Sequence, residues 1–399
     1  MSKKILVSGA GIISAIGNNQ RETLLSLQSG SSGISHLRYL KTSHTEFPVG
    51  EVKLTNEEMM RALQIPETKA MTRTSLMGMI AVREALEQAG IQHKNGLRIA
   101  LISGTTVGGM DKSEQYYLDF LENDSKNEYI ATHDCGSCTE MIADYFGIFS
   151  SLQTISTACS SAANAIMMGA QLIRDGRADI VVAGGSECIT KFHLNGFNSL
   201  MILDKEPCKP FDANRAGLNL GEGAAYLVLE SEEVARKRNI QALCSLSGYA
   251  NTCDAFHQTA SSPDGEGAYL AMFNALASAN LKPEDIDYIN AHGTGTNNND
   301  LSEGTAIQRI FTSKIPPVSS TKSFTGHTTS AAGSVEAVIS ILALQHNFIP
   351  SNLNFSTQMP ELIFAPYHES QITKRELSHV LCNSFGFGGN DSTLIFSAL

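Results

Sequence analysis

No apolar run in this chain of 399 residues approaches membrane-spanning length, and the stretch after Lys3 and Lys4 breaks off at Gly9, too early for the core of a signal peptide. A cytoplasmic protein without membrane insertion is expected. Basic residues are scarce: 29 Lys and Arg stand against 40 Asp and Glu, a formal charge of −11. Nonspecific nucleic-acid binding relies on many cationic contacts to phosphate, so that partner class is excluded. Low-complexity linkers are absent as well. The eight cysteines are mostly scattered singly among apolar neighbours, which reads as reduced core thiols and not as a disulfide framework. Cys135 and Cys138 form C-x-x-C, but no second closely spaced Cys/His pair completes four metal ligands. A dinucleotide fingerprint fails in a similar way. Gly9 and Gly11 open a G-x-G, yet Ser14 stands where the third glycine belongs, and no acidic residue follows at the distance where a ribose would bind. These glycines read as a tight strand-to-helix turn.

What is present is apolar content, 42% of residues against 17% charged, ample for a large buried core. Runs of β character ("KKILVSG", "LRIALISG", "ADIVVAGG", "AAYLVLE") alternate with helical patterns, the mark of an α/β protein whose sheets are covered by helices. The length suggests two domains or one duplicated unit, and an internal echo favours duplication. "LQTISTACSSAANAIMMGAQLIRDG" and "IPPVSSTKSFTGHTTSAAGSVEAVISILALQH" both read as strand, tight polar turn and long small-residue helix. The halves are expected at residues 1–245 and 246–399. In the first echo Ala163, Ile166, Met167, Ala170 and Ile173 make one helical face, and Gly176 is placed to end the helix. In the second, beginning near Ala331, Val335, Val338, Ile339, Ile341 and Leu342 surround the helix with apolar groups, which predicts deep burial. Glu336 lies among them, so it should meet a cation, a basic side chain or several donors.

Cys159 sits after an apolar stretch and directly before the first of these helices, where a helix N-terminus favours a thiolate. His292 in "INAHGTGT" and His327 in "KSFTGHTTSAAG" occupy Gly/Thr/Ser-rich turns after short β-type runs, the setting of side chains presented at strand ends. Taken singly, a cysteine is commonly a core residue and a histidine a hydrogen-bonded bystander. Their shared setting raises the expectation of a nucleophile with two imidazoles.

"TACSS", "PFDANRAGLNLGEGAA", "NAHGTGT", "KSFTGHTTSAAG" and "NSFGFGGND" stand in the order and approximate spacing typical of β-ketoacyl-acyl carrier protein synthases, and the chain resembles the elongating synthase II type along nearly its whole length. The resemblance implies a thiolase-like fold of five layers, αβαβα, built from two similar halves with the active site between them. It implies decarboxylative Claisen condensation of an acyl-enzyme thioester with malonyl-acyl carrier protein. Cys159 would carry the acyl group, while His292 and His327 would donate from Nε2 to the malonyl thioester oxygen as the enolate forms. Lys322 would orient the second histidine or tune proton affinities, and Asp300 and Glu303 would support it, with Glu303 linked to that lysine. The amides of Cys159 and Phe387 would form an oxyanion hole, Phe387 doubling as a gate. Thr294 and Thr296 match positions that bind the phosphopantetheine arm, and Lys69, Arg73 and Lys209 match a carrier-protein docking patch. A monovalent cation is implied near Asn290, Glu336 and Asn383; no cofactor is required. A homodimer is expected, with a heterodimer as the alternative.

The pattern departs from the family's at "GFGGND" for "GFGGTN", "RAG" for "RDG", and Ser330 for a glycine, and residues 110–150 look short. These changes leave the reactive trio intact and admit a specialised polyketide or polyene pathway beside fatty-acid elongation. The competing class is a non-catalytic subunit that sets chain length in a heterodimer, where the nucleophilic cysteine is normally replaced. A degradative thiolase would need a second reactive cysteine in a C-terminal glycine turn, and Cys382 is not in one.

Overall fold

The computed structural model describes residues 4–67, 69–369 and 374–399, so Met1 to Lys3, the start of the run weighed against a signal peptide, lie outside the described residues. Among the described residues ten strands form one mixed sheet. They are β1 (Ile5–Ser14), β2 (Ile99–Gly104), β3 (Ser151–Ile155), β4 (Ile180–Glu187), β5 (Gly223–Ser231), β6 (Cys244–Cys253), β7 (Tyr288–Asn290), β8 (Val318–Ser319), β9 (His379–Gly386) and β10 (Asn390–Ser397). Their order is β3-β2-β4-β5-β1-β6-β10-β9-β7-β8. Reading outward from the centre, 1-5-4-2-3 on one side matches 6-10-9-7-8 on the other, each number raised by five. The duplication suggested by the echo is therefore present in the strand order, and the two halves join where Ile5 to Val7 pair antiparallel with Leu246 to Cys244.

Eight helices matter for the site: α1 (Arg73–Gln88), α2 (Met110–Glu122), α3 (Cys135–Phe146), α4 (Ser161–Arg174), α5 (Lys191–Ser199), α6 (Glu266–Ala279), α7 (Asn297–Ile310) and α8 (Ala332–His346). α1 packs on β1, β5 and β4 with α3 against it, α6 packs on β6 and β10 with α7 against it, and α4 and α8 lie together between the two half-sheets. This is the expected five-layered αβαβα arrangement. β2 and β4 are buried along their full length, as strands covered on both faces must be, and their composition is accordingly a continuous apolar and small-residue run. α8 is buried from Ala332 to Leu344. Its first turn comes so close to α4 that a Cβ on Gly333 would stand 2.7 Å from the Ala163 nitrogen, which explains the small residues of both helices.

Candidate active site

The two echoing turns bring the predicted reactive groups to one place. After β3 the chain turns through Thr157 to Cys159 with Ala158 in the left-handed region at φ 52°, and α4 begins at Ser161. Ser161 holds the turn, its N–H and Oγ–H both donating to the Ala158 carbonyl while its Oγ accepts from the Thr157 N–H. A non-glycine residue held in this conformation costs on the order of 1–3 kcal/mol, and the strain presents Cys159 at the mouth of the helix. Gly386, at the end of β9, leaves room for that presentation: a Cβ there would lie 3.2 Å from the Cys159 nitrogen. In the other half His327 follows β8 and the single helical turn Lys322–Thr325, its N–H donating to Asn219 O at 2.7 Å. His292 follows β7 directly.

His327 Nε2 lies 3.1 Å from Cys159 Sγ, and the rings of His292 and His327 meet edge to face with centroids 5.2 Å apart. Lys322 Nζ lies 3.2 Å from Nδ1 of His292. An ammonium can only donate, so Nδ1 of His292 accepts and Nε2 carries the proton. Lys322 thus orients the first histidine, not the second as expected. The expected link between Lys322 and Glu303 is also corrected. The carboxylate bound to Lys322 is Glu336, one face of α8 being turned toward the lysine. Glu303 instead accepts the backbone N–H groups of His292 (2.9 Å) and Gly293 (2.8 Å), fixing the His292 turn. Asp300 does the same for Phe211 (2.7 Å) and Gly295 (3.1 Å).

Electrostatics follow from burial. Cys159 is pushed up to about 12 by burial, with Lys322 and the Phe387 N–H acting in the opposite direction. The thiolate anticipated from the helix N-terminus is therefore a thiol in the free site, because desolvation outweighs the helix dipole. Both histidines are held well below their ordinary 6.5, first by burial and then by Lys322. They are neutral donors.

Cys159, His292, His327, Thr294, Thr296 and Phe387 line one cavity of about 230 Å³. Thr294 and Thr296 bond each other at 2.9 Å near its rim, where Asn297 and Asn298 are exposed. Phe387 stacks on Phe197, centroids 5.9 Å apart at 24°, and Gly388 and Gly389 beside it take positive φ. Of the docking residues, Lys69 is exposed and Lys209 half-buried. Arg73 is corrected: its guanidinium is buried, donating to Glu222 at 2.6 Å and to the carbonyls of Val52 and Leu54, so it cannot meet a partner. Of the residues named for a monovalent cation, Glu336 has an Oε2 that is buried with no hydrogen-bond partner among the described residues, an oxygen such an ion could use. Lys322 occupies one Glu336 oxygen, Asn290 donates to the Glu336 carbonyl, and Asn383 donates to Glu303 while its oxygen accepts from Thr393. Cys138 is buried against Thr72, Cys135 is half-buried, and no cluster of three or more His, Cys, Asp or Glu capable of holding a metal occurs among the described residues.

Sequence reasoning missed Glu187, His193 and Phe197 beside this site. A carboxylate closing the apolar run "ADIVVAGGSE" was the available signal.

The "Beta-ketoacyl synthase, N-terminal domain" model matches residues 2–235 and the "Beta-ketoacyl synthase, C-terminal domain" model residues 243–356. The chain belongs to the β-ketoacyl synthase family. Its curated relatives include the 3-oxoacyl-[acyl-carrier-protein] synthase 2 of Vibrio cholerae, 33% identical with all of both chains covered. Among solved β-ketoacyl synthase structures, the ishigamide ketosynthase/chain length factor superposes with a TM-score of 0.92 at 29% identity, covering both chains fully. A type II polyketide synthase acyl-carrier protein in complex with its ketosynthase bound to the hexaketide gives a TM-score of 0.89 at 25% identity, again over both full chains.

Proposed function

We propose that the protein is a catalytically competent β-ketoacyl-acyl carrier protein synthase. The observation that carries this reading is the 3.1 Å contact between Cys159 Sγ and His327 Nε2 within a cavity that His292 also lines. Because the thiol is protonated at rest, His327 takes its proton as sulfur attacks an acyl thioester; the carrier's thiolate leaves, regains the proton and departs as a thiol, leaving S-acyl-Cys159. Acylation leaves the sulfur without a proton to offer His327 Nε2. Once its neutral ring carries the proton on Nε2, His327 joins His292 in donating to the thioester oxygen of a malonyl group, whose C–C bond to the carboxylate breaks to give carbon dioxide and an enolate. The enolate carbon attacks the acyl carbonyl, whose oxygen meets the amides of Cys159 and Phe387. Collapse expels the Cys159 thiolate, which takes a proton from solvent to restore the resting thiol, and releases the β-ketoacyl thioester. The chemistry as written consumes no cofactor, and it fits the eight free thiols of a reducing cytoplasm. Retention of Cys159 with both histidines stands against the non-catalytic chain-length subunit. Intact-mass analysis after mixing with acyl-carrier thioesters tests the reading: an acyl adduct is expected in the native chain and none in Cys159→Ala. An unmodified native chain at every chain length would sink it.

The partners proposed are an acyl carrier protein, approached by Lys69 and Lys209 at most, and a second subunit of the same fold. For the latter, α2 has no buried residue and exposes Tyr117, Leu118, Phe120 and Leu121, while β3 is an edge strand exposing Leu152. An open edge beside an apolar helix face suits pairing with another chain. A homodimer is the reading adopted, with a heterodimer as the alternative. Fatty-acid elongation and a polyketide or polyene pathway share this chemistry.

A further inference from the structure

The two departures in "GFGGND", Asn390 and Asp391, open β10 directly after the turn that holds the Phe387 amide. Asn390 fastens that turn to the nucleophile's side, its Oδ1 accepting from Ser160 Oγ–H and Asn251 Nδ2–H, each at 2.7 Å. Asp391 has no such anchor. It is 3% exposed, no hydrogen bond reaches its carboxyl among the described residues, and the charges that act on it are two other carboxylates, Asp254 and Glu303. Asp254, just after β6, meets it across Gly267. A Cβ there would collide with Asp391 Oδ2 and stand 2.6 Å from Asp254 Cβ, so only glycine lets the two acids converge. Asp254 already accepts the Ser262 hydroxyl (2.7 Å), the Ser262 N–H (2.7 Å) and the Gly267 N–H (3.2 Å). A carboxylate offers about four acceptor sites, which leaves one for a further donor.

No positive charge relieves the pair. On α7, Glu303 is engaged by Asn383 and the His292 turn, and Asp300 holds Phe211 and Gly295. On α6, Glu266 and Tyr269 face Arg309 at the surface. Cys253, closing β6, is exposed beside the Gly388 carbonyl, and His379 lies at the far end of β9. Burial first, then Asp254 and Glu303, push Asp391 up to about 8. The pair also sits where it can hold the oxyanion turn. Asp254 N–H donates to the Gly389 carbonyl and Gly388 N–H to the Gln258 carbonyl, both at 2.8 Å, and Phe387, Gly388, Gly389, Thr259 and Ser261 all line the Cys159 cavity.

We propose that Asp391 is a positioning residue: a neutral acid whose one proton is donated to the open site on Asp254, it fixes the turn that carries the Phe387 amide. Its effect on catalysis rests on the condensing-enzyme reading. The test compares Cys159 acylation by an octanoyl-pantetheine thioester, followed by intact mass, in the native chain, Asp391→Asn and Asp391→Ala. Asparagine keeps a neutral donor and should load at the native rate at pH 7, whereas alanine should be slower by about fivefold, the loss of one hydrogen bond. At pH 9, a unit above the native carboxyl, the native chain should fall behind Asp391→Asn by about tenfold. Stability gives a readout independent of activity. The folded acid keeps its proton to about 8 while an unfolded one loses it near the ordinary 3.8, so native stability falls as the pH rises between those values. Asp391→Asn escapes this, and its urea midpoint should climb relative to the native one from pH 5 to pH 8. A rate ratio and a midpoint difference that both stay constant with pH overturn the proposal, as does an Asp391→Asn chain that fails to fold. A native midpoint at pH 9 raised by potassium or calcium ions, with that of Asp391→Asn unmoved, would mean that a cation bridges the acids and overturns it too. No adduct in any of the three chains removes the condensing-enzyme reading, and the midpoints then decide this inference alone.

Discussion

At Lys322 one buried ammonium governs two imidazoles and one carboxylate. It sets the His292 tautomer through Nδ1, lowers the proton affinity of both histidines and neutralises Glu336. Replacing it by methionine removes all three effects and leaves Glu336 as an uncompensated buried acid. Lys322→Met should destabilise the fold by about 3–5 kcal/mol in denaturant titration. Malonyl decarboxylation should fall by roughly 10²–10³ in the folded fraction as an oriented donor is lost. The pH response follows from the same burial. Because the folded histidines lie below their ordinary 6.5, lowering the pH from about 8 to about 6 leaves them neutral and still donating. Decarboxylation by the native protein should not decline across that interval; a falling limb centred at 6.5 would mean that the histidines titrate like exposed ones. Glu336, pushed up to about 7 by burial against the pull of Lys322, is the group of this trio that does titrate there.

Among the elements, the crossing of α4 and α8 sets the distance between Cys159 and the histidine turns. Gly333 sits at its tightest point, with Ala163 N at 2.7 Å and Ser384 Oγ at 3.0 Å from where a Cβ would be. Gly333→Val should therefore cost about 1–3 kcal/mol in chemical denaturation and slow acyl loading, since the helices must separate. A stability unchanged from the native chain would place the helices farther apart than described. Both helices were legible, α4 from its apolar face ending before Gly176 and α8 from its unbroken apolar surface. β7 and β8 were not. They span only Tyr288–Asn290 and Val318–Ser319, too short for an alternating pattern, and their identity as strands comes from parallel pairing with each other and with β9.

For the whole molecule, the seam between β1 and β6 turns two similar halves into one sheet and leaves β3 as an open edge on the nucleophile's side. Leu118 and Leu121 of α2 are 76% and 62% exposed, a poor state for a lone subunit. If the proposed dimer uses this face, Leu118→Glu with Leu121→Glu should shift it to a single subunit in sedimentation velocity while leaving the thermal transition within about a few degrees, as surface changes do. An unchanged mass in the variant would remove this face from the proposed partner surface.

The amino-acid sequence by itself determined the layered α/β class, the duplication, the positions of Cys159, His292 and His327 in turns, and the burial of Glu336, because periodicity and turn chemistry are local properties carried by neighbouring residues. The tertiary structure alone decided which acid meets Lys322, which histidine that lysine orients, that Arg73 is spent on Glu222, and that Cys159 rests as a thiol. Each of those outcomes depends on which groups are brought together from distant parts of the chain and on how far burial strips them of water.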